Sequence, residues 1–213
     1  MERIATAGGV EVVRAIVAAI HENAAYLSEV DGETGDGDHG VNMNKGFLMA
    51  GERLTDDMDL AAALKVVSRT LVMDIGGSMG PIYGTLFKRL AKALAGEEVG
   101  AVELSAALNS AVEGLKGLAG AEEGDKTLVD TIAPATRAFD EALAAGKPLG
   151  ECLDAMADGA DAGRDATRDM VAKLGRASRL GERSRGHLDA GATSCAIILR
   201  ALAEGLKARI VSE

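Results

Sequence analysis

Aromatic residues, proline and cysteine are all scarce in this sequence of 213 residues, which has no tryptophan, two tyrosines, three phenylalanines, three prolines and two cysteines. Strands draw heavily on aromatic and β-branched side chains, so this composition argues against a core built on a sheet. Alanine, leucine, valine and methionine remain to fill a core, and such residues suit close helix packing. Cys152 and Cys195 lie in apolar stretches without partners at metal-ligand spacing, so we expect buried thiols.

Positive charge is also in deficit, because the formal net charge is −10. A surface for nucleic acid or an anionic membrane needs a basic face, so neither partner is expected. The opening MERIATAGG lacks the apolar core of a signal peptide, and no stretch approaches the roughly 18 uncharged residues of a membrane span. We therefore expect a cytoplasmic protein that would bind phosphate through metal ions or local dipoles.

Apolar residues recur at helical spacing along almost the whole chain. The pattern predicts eight helices, with apolar positions at 13–27, 43–50, 60–71, 82–94, 104–115, 128–143, 149–174 and 195–206. Pro134 is expected to kink the sixth helix, and no segment is predicted to form a strand. Without a dividing linker, residues 1–213 are expected to form a single all-α domain of antiparallel helices.

Four connecting segments are rich in glycine and functional side chains, namely 31–40, 76–81, 122–127 and 175–194. The remaining loops, at 55–57, 96–98 and 145–147, are unremarkable. Alternate loops of an up-and-down bundle emerge at the same end, and the four rich segments are the alternate ones. The sequence therefore predicts a functional site on one rim of the bundle.

Three aspartates stand within eight positions of the first segment: Asp31, Asp36 and Asp38, with glycines between them. Carboxylates this close repel one another and are costly to ionise together without a cation. Oxygen ligands suit Mg²⁺ or Ca²⁺, although the final glutamate of a twelve-residue calcium loop is missing. The set predicts a metal site, with ordinary tight turns as the alternative, because Asp and Gly also serve turns.

Two of the glycine-rich segments lead directly into predicted helix starts. Residues 39–42 open one helix next to the aspartates, and the segment 76–81, GGSMGP, places Pro81 in the first turn of another. Free N–H groups at a helix start attract anions, so a nucleotide diphosphate held there would lie beside the metal. The segment GGSMGP matches neither GxxxxGK[ST] nor GxGxxG. Asp125, in GDKT, is most simply explained as a helix cap.

The last segment concentrates positive charge in an acidic protein, with four arginines followed by a histidine and an aspartate: Arg176, Arg179, Arg183, Arg185, His187 and Asp189. The arginines either neutralise phosphates or pair with neighbouring acids such as Glu182 on a solvated loop. The segment is also long enough to act as a lid over the site.

Four stretches, GDGDHGVNMNKGF, GGSMGPIYGTLF, GDKTLVDTIAPA and LGERSRGHLDAGATS, resemble in order the signature segments of the DhaL (DAK2-type) domain of dihydroxyacetone kinases. The resemblance extends over essentially the full chain. It implies an eight-helix antiparallel barrel with a nucleotide site on one rim.

By this resemblance, Asp31, Asp36 and Asp38 would hold two Mg²⁺ ions that bridge the phosphates of ADP or ATP. The cofactor-binding residues that it implies are His39, Gly40, Val41, Asn42, Gly77, Ser78, Met79, Gly124, Leu128, Arg176, Asp189 and Gly191, with Leu128 at the adenine. Two positions depart from the family pattern. Met79 stands where a second small hydroxyl residue is common, and Ala190 where a proline is common.

The resemblance implies a separate nucleotide-binding subunit, because no substrate domain with a carbonyl-binding histidine accompanies it. In the phosphotransferase-dependent systems, bound ADP receives a phosphoryl group from a phosphohistidine subunit and passes it to dihydroxyacetone on a substrate subunit. Both subunits are expected partners, no residue of this chain is expected to be phosphorylated, and a homodimer is a further expectation. The alternatives are a kinase subunit for another triose or tetrose ketose, a regulatory binding module, and a metal-dependent hydrolase.

Overall fold

The structure, a computed structural model, describes residues 2–212, which form nine α-helices, two 3₁₀ helices and a small three-stranded sheet. The α-helices are α1 (Val10–Glu22), α2 (Ala24–Gly32), α3 (His39–Gly51), α4 (Leu60–Asp74), α5 (Met79–Ala93), α6 (Ala101–Ala119), α7 (Val129–Ala144), α8 (Leu149–Ala166) and α9 (Ala190–Lys207). The 3₁₀ helices are Thr167–Asp169 and Ala177–Ser184, and the strands are β1 (Glu2–Ala5), β2 (Glu98–Val99) and β3 (Ile210–Ser212).

The helices close into a ring. From α3 to α9 each helix packs on the next, and α1 packs on both α3 and α9. The interior is filled mainly by leucine, isoleucine, valine and alanine. Phe47 of α3 and Phe87 of α5 meet edge to face inside it, with ring centroids 5.7 Å apart. The predicted all-α barrel is therefore confirmed. Among residues 2–212, every helix is too short or too polar to cross a membrane.

The first predicted helix is in fact two helices, so the prediction of eight was wrong by one. The break is at Asn23, whose backbone (φ −99°, ψ 8°) leaves the helical region. Its side-chain amide donates to the carbonyl of Ala19 at 2.8 Å, which occupies a carbonyl at the end of α1. Asparagine favours such local side-chain bonds over continued helix, and the apolar spacing alone concealed this.

The seventh predicted helix also ends early, because α8 stops at Ala166 rather than continuing to Leu174. Thr167 turns its hydroxyl back to the carbonyl of Arg164 at 2.6 Å, and the chain tightens into a 3₁₀ turn. Met170 then adopts an extended conformation (φ −88°, ψ 154°). Leu174 lies in the next loop and packs against the core from there, so its apolar spacing imitated a continued helix.

The sheet was missed entirely, since its strands are too short to show an alternating pattern. β1 is the central strand and pairs antiparallel with both β2 and β3, with Ile4 opposite Val99 and Ile210. Beyond β1, the carbonyl of Thr6 accepts from Leu60 N at the start of α4. The sheet therefore closes the barrel at the end formed by the 55–57 and 96–98 loops.

α7 and α8 approach each other closely around Pro134. α7 continues through Pro134 as one helix, and proline has no N–H to donate to the carbonyl of Asp130. Gly163 of α8 lies against that carbonyl, and a Cβ at Gly163 would lie 2.3 Å from it. Gly159, one turn earlier, faces the carbonyl of Pro134 in the same way. Small residues on α8 thus allow backbone-to-backbone packing.

We expect Gly163→Ala to lower the free energy of unfolding by about 1–3 kcal/mol, because the added methyl overlaps α7. Gly117→Ala on α6 is the matched control, since a Cβ there meets no described atom within 4 Å. The control should gain about 1 kcal/mol from helix propensity alone. Urea unfolding followed by circular dichroism measures both, and equal shifts in the two variants would contradict the close contact.

Candidate functional site

A cavity of about 520 Å³ opens at the rim opposite the sheet. Its wall comes from residues within 31–42, 76–83, 127–128, 174–177 and 190–191, so all four glycine-rich segments contribute. Most of the site residues named from the sequence lie in this wall, namely Asp31, Asp36, Asp38, His39, Asn42, Gly77, Ser78, Met79, Leu128, Arg176 and Gly191. The fold thus brings together segments that are distant in the chain.

The three aspartates converge at one side of the cavity. Asp31 is near the end of α2, Asp36 and Asp38 follow in the loop, and one oxygen of each lies within 4.8 Å of the others. The loop folds tightly because the carbonyl of Asp31 accepts from Gly35 N at 2.5 Å. A Cβ at Gly35 would lie 2.5 Å from a carboxylate oxygen of Asp31, so a larger residue here would displace that carboxylate. A hard cation that prefers oxygen ligands fits this donor set.

Two helix N-termini face the same space. α3 begins at His39 and α5 at Met79, and the residues before and within their first turns line the cavity. The start of α5 is packed against the end of α4, since a Cβ at Gly80 would lie 2.5 Å from the carbonyls of Leu71 and Ile75. Free N–H groups of first turns favour anions, so positive dipole ends adjoin a cluster of carboxylates.

The segment 170–187, called the lid here, covers one side of the cavity and contacts the aspartate loop at two points. The guanidinium of Arg176 pairs with the carboxylate of Asp36. His187 Nδ1 lies 3.2 Å from Glu33 Oε2. All four side chains are well exposed, and exposed ion pairs are worth only about 0–1 kcal/mol each. These contacts therefore leave the tip of the lid free to exchange partners.

A hydrogen-bonded chain runs from the half-buried His39 at the cavity to the buried Ser194 and Tyr83. His39 Nε2 lies 2.9 Å from Ser194 Oγ, which in turn lies 2.5 Å from the Tyr83 hydroxyl, and that hydroxyl donates to Gly191 O at 3.2 Å. Burial lowers the pKa of His39, with Asp31 acting in the opposite direction, and burial raises the pKa of Tyr83. Both shifts favour the neutral forms, in which the two groups act as hydrogen-bonding groups.

Tyr83 and Ser194 were not identified from the sequence. Each occupies an apolar helix face, where spacing indicates core rather than site. The available signal was the polar character of Ser194 within the buried face of α9. A buried hydroxyl requires a partner, and that partner proves to be a site residue.

Part of the cavity wall is apolar. Leu128, Leu174, Ile82 and Ala177 line it, and Leu128 is 5 % exposed. A flat apolar group would bury its faces here, whereas a charged group would lose its water. The cavity thus combines carboxylates, two helix N-termini and apolar side chains.

Gly40 and Val41 lie off the cavity wall, although the sequence resemblance had assigned them to the site. Gly40 packs against α2, and a Cβ at this position would lie 2.0 Å from Ala24 O. Val41 points outward and is 64 % exposed. The lack of a side chain at Gly40 allows α3 to lie close to α2. Neither a Cβ at Gly40 nor the side chain of Val41 lines the cavity.

Gly124 and Asp189 also lie off the wall and hold the structure behind it. Gly124 has φ +90°, and its N–H donates to Asp130 Oδ1 at 2.5 Å. Asp189 is the N-cap of α9 and accepts from Ala192 N at 2.7 Å. Burial raises the pKa of Asp189 to about 6, against the opposing effects of this bond and of Lys126.

The expected cap at Asp125 is wrong. α7 begins at Val129 after Leu128, and the Asp125 carboxylate instead accepts from Glu122 N at 2.8 Å. Asp130, inside the first turn of α7, takes up the free N–H groups of Gly124 and Thr127. Both aspartates therefore stabilise the 122–127 segment. Their positions in the sequence do not show which of the two binds the free N–H groups before α7.

A closed ring of helices, with clustered carboxylates and two helix N-termini at one rim, defines a helical barrel whose site suits a metal-bound polyanion. The chain belongs to the family of the DAK2 domain, which matches residues 33–204. It is 37 % identical over 185 residues to the ADP-binding subunit DhaL of the PEP-dependent dihydroxyacetone kinase of Escherichia coli, covering 85 % of this chain and 88 % of that protein.

Other relatives extend this result. The L-erythrulose kinase of Pectobacterium atrosepticum is 31 % identical over 195 residues, which cover 89 % of this chain but 33 % of that enzyme. The dihydroxyacetone kinase of C. freundii in complex with AMP-PNP and Mg²⁺ superposes with a TM-score of 0.67 at 26 % identity. The superposition covers 92 % of this chain, which spans about a third, 33 %, of that kinase.

We expect Ser194→Ala to cost about 1–3 kcal/mol of unfolding free energy, because the buried Tyr83 hydroxyl and the half-buried His39 ring lose their common partner. Ser178→Ala, which removes a bond to Gly175 O in the lid, is the control and should stay within about 0.5 kcal/mol of the wild type. Urea unfolding compares the two variants. Equal stability would mean that the buried chain contributes little.

Proposed function

We propose that the chain is the nucleotide-binding subunit of a dihydroxyacetone kinase, a phosphotransferase of the phosphoenolpyruvate-dependent type. Bound ADP or ATP would carry a phosphoryl group from a phosphohistidine phosphotransferase subunit to dihydroxyacetone on a substrate subunit. The carrying observation is the convergence of three carboxylates, two helix N-termini and one arginine on a single cavity. Residues 1–213 would act as one DhaL-type nucleotide-binding domain in the cytoplasm, and a homodimer is part of the proposal.

Asp31, Asp36 and Asp38 are the residues that would hold Mg²⁺, two ions in our proposal. Their oxygens are close enough to share cations, and oxygen donors are the ligands that Mg²⁺ prefers. Bound Mg²⁺ would neutralise and orient the phosphate oxygens. The aspartates themselves stay in place because the glycines of their loop permit its tight fold.

The phosphates would meet the first turns of α3 and α5, where His39, Asn42, Gly77, Ser78 and Met79 line the cavity. Backbone N–H groups there supply charge stabilisation without a lysine of the phosphate-loop type. Met79 replaces a side-chain hydroxyl, so backbone donors and Ser78 would make these contacts. Bound cations would neutralise the aspartates and weaken the ion pair between Arg176 and Asp36. Arg176 would then turn to the phosphates.

The adenine would lie on the apolar wall at Leu128, with Gly191 close by. Leu128 and Leu174 are apolar, and the glycine at 191 leaves room beside Leu128. Burial of a planar base against such side chains supplies affinity without charge. A nucleotide held in this way would stay bound and carry the phosphoryl group between partners. The chain itself would act by positioning and charge neutralisation.

Another ketose is the second candidate for the acceptor. The relatives of this chain include kinases named for L- and D-erythrulose, at 31–34 % identity. The acceptor would bind on the partner subunit. The residues of this cavity therefore do not distinguish dihydroxyacetone from another ketose. A regulatory role as a binding module is compatible with both.

We expect Asp36→Asn to raise the Kd for Mg-ADP by about tenfold or more, because one anionic ligand is removed while the shape is kept. Asp57→Asn, in a loop at the other end of the barrel, changes the net charge equally and should leave the Kd unchanged. Isothermal titration with and without Mg²⁺ measures both. Equal affinity in the two variants, with intact circular dichroism, would contradict the metal assignment.

Phosphoryl transfer should require partners. Purified protein loaded with Mg-ATP should release little inorganic phosphate alone, and should form the ketose phosphate only with the substrate subunit present. Multiple turnovers should need the phosphohistidine subunit as well. A steady release of phosphate by the isolated chain would favour the hydrolase alternative, in which the aspartates activate water.

A further inference from the structure

Lys126 is a buried lysine with an unusual set of partners. Its side chain is 1 % exposed, and Nζ donates to three backbone carbonyls: Met170 at 3.2 Å, His187 at 2.7 Å, and Ser184. An ammonium group has three N–H donors, so all three are used. Buried lysines are rare because an uncompensated charge is costly to desolvate. Here carbonyl dipoles take the place of a paired carboxylate.

The three carbonyls belong to the two ends of the lid. The same ends also meet directly, since Gly186 N donates to Arg168 O at 2.7 Å and Ala172 N donates to Ser184 Oγ at 2.9 Å. The lid is therefore a compact loop with a narrow neck, and the ammonium of Lys126 lies in that neck. A single side chain from another segment thus fastens both ends at once.

The other end of this connection is rooted in the barrel. Asp130 of α7 holds the N–H groups of Gly124 and Thr127, on either side of Lys126. Lys126 itself has φ 62°, the one positive value at a non-glycine residue in the described part of the chain. Such strain persists when the surroundings over-determine the conformation. The strained backbone is consistent with a side chain that must reach one fixed point.

Two effects inside the neck act on the pKa of Lys126 in opposite directions. Burial lowers the pKa of Lys126, whereas the buried carboxylate of Asp189 acts to raise it. By contrast, the tip of the lid is held by exposed pairs such as Arg176 with Asp36, and it is bounded by Gly175 and Gly181, which have φ +67° and +54°. The neck is buried and the ammonium of Lys126 is fully hydrogen-bonded there, whereas the tip is exposed and is held by surface ion pairs.

We propose that Lys126 is a positioning residue, an internal ammonium that fastens the neck of the lid to α7 and so fixes where the arginine-bearing tip can move. The effect of this anchor on nucleotide rests on the proposed function, but the anchor itself does not. Arg176 can then leave Asp36 for a bound phosphate while its segment stays aligned with the cavity. Without the anchor, the lid would open as a unit.

Limited digestion with an arginine-specific protease, without nucleotide, tests the anchor directly, because the lid carries Arg176, Arg179, Arg183 and Arg185 and neither lysine variant alters these cleavage sites. Lys126→Met keeps the length of the side chain but removes the ammonium, and cleavage in the lid should become about tenfold faster or more. Lys173→Met is the matched control, since Lys173 joins the lid to Asp125 through an exposed ion pair of 3.0 Å. Its cleavage rate should stay within about twofold of the wild type.

Circular dichroism of the same samples decides whether the effect is local. Retained helix signal with selective lid cleavage supports the anchor. Wild-type cleavage rates in Lys126→Met would overturn it. Loss of the helix signal would also overturn it, because the lysine would then belong to the barrel core.

Chemical rescue adds a readout that a purely structural role would not move. Lys126→Ala removes the atoms of propylammonium, so propylammonium should slow lid cleavage again, whereas tetramethylammonium at equal ionic strength should not. Equal responses to the two cations would contradict the carbonyl-bound ammonium.

Nucleotide exchange separates this inference from the proposed function. If wild-type protein binds Mg-ADP, its dissociation should be about tenfold faster from Lys126→Met than from Lys173→Met. Equal dissociation rates would limit Lys126 to the lid alone and overturn its role in positioning. If wild-type protein takes up no Mg-ADP, the proposed function fails, and the digestion and rescue results still decide the anchor.

Discussion

The mutual repulsion of three carboxylates is the constraint around which the rim is built. Asp31, Asp36 and Asp38 lie within reach of one cation in a protein whose net charge is −10. An anionic ligand would be repelled by such a rim unless positive charge were supplied locally. The first turns of α3 and α5 and the guanidinium of Arg176 supply part of it. The arrangement therefore makes sense as a site where cation and anion are bound together.

The barrel provides the geometry that this electrostatic arrangement needs. Small residues allow close approach of helices, as where Gly163 lies against the backbone of α7 and Gly80 against the end of α4. Close packing fixes helix ends to within a narrow range, because protein interiors are dense and deform little. The loops that carry the site are consequently held by rigid neighbours, even where they are exposed.

The sequence could predict the all-α class, the packing of consecutive helices and the rim that carries the site. These features depend on apolar periodicity and on the alternation of loops, both of which are local patterns. The break at Asn23 and the early end of α8 at Ala166 could not, since single side-chain hydrogen bonds decided them. The sheet escaped because strands of two to four residues carry no measurable period. In each case a short-range bond outweighed a longer pattern.

The site shows the same division. Acidic and glycine-rich segments were recognisable because their composition is unusual for a buried core. Tyr83, Ser194 and Lys126 were not, because each is a polar residue whose partners come from distant parts of the chain. Gly40 and Asp189 were assigned to the cavity by resemblance, and the structure places them behind its wall. Sequence identifies the chemistry of such a site more readily than the residues that support it.

The closure of the ring has a consequence for how the chain folds. Most helix pairs are neighbours in sequence, so their contacts form with little loss of loop entropy. The final seam joins α1 to α9 and β1 to β3, and Arg209 Nε donates to Ala5 O at 2.9 Å across 204 positions. Contacts of such high sequence separation form slowly. We therefore expect the seam between the first and last elements to be among the last parts of this barrel to form.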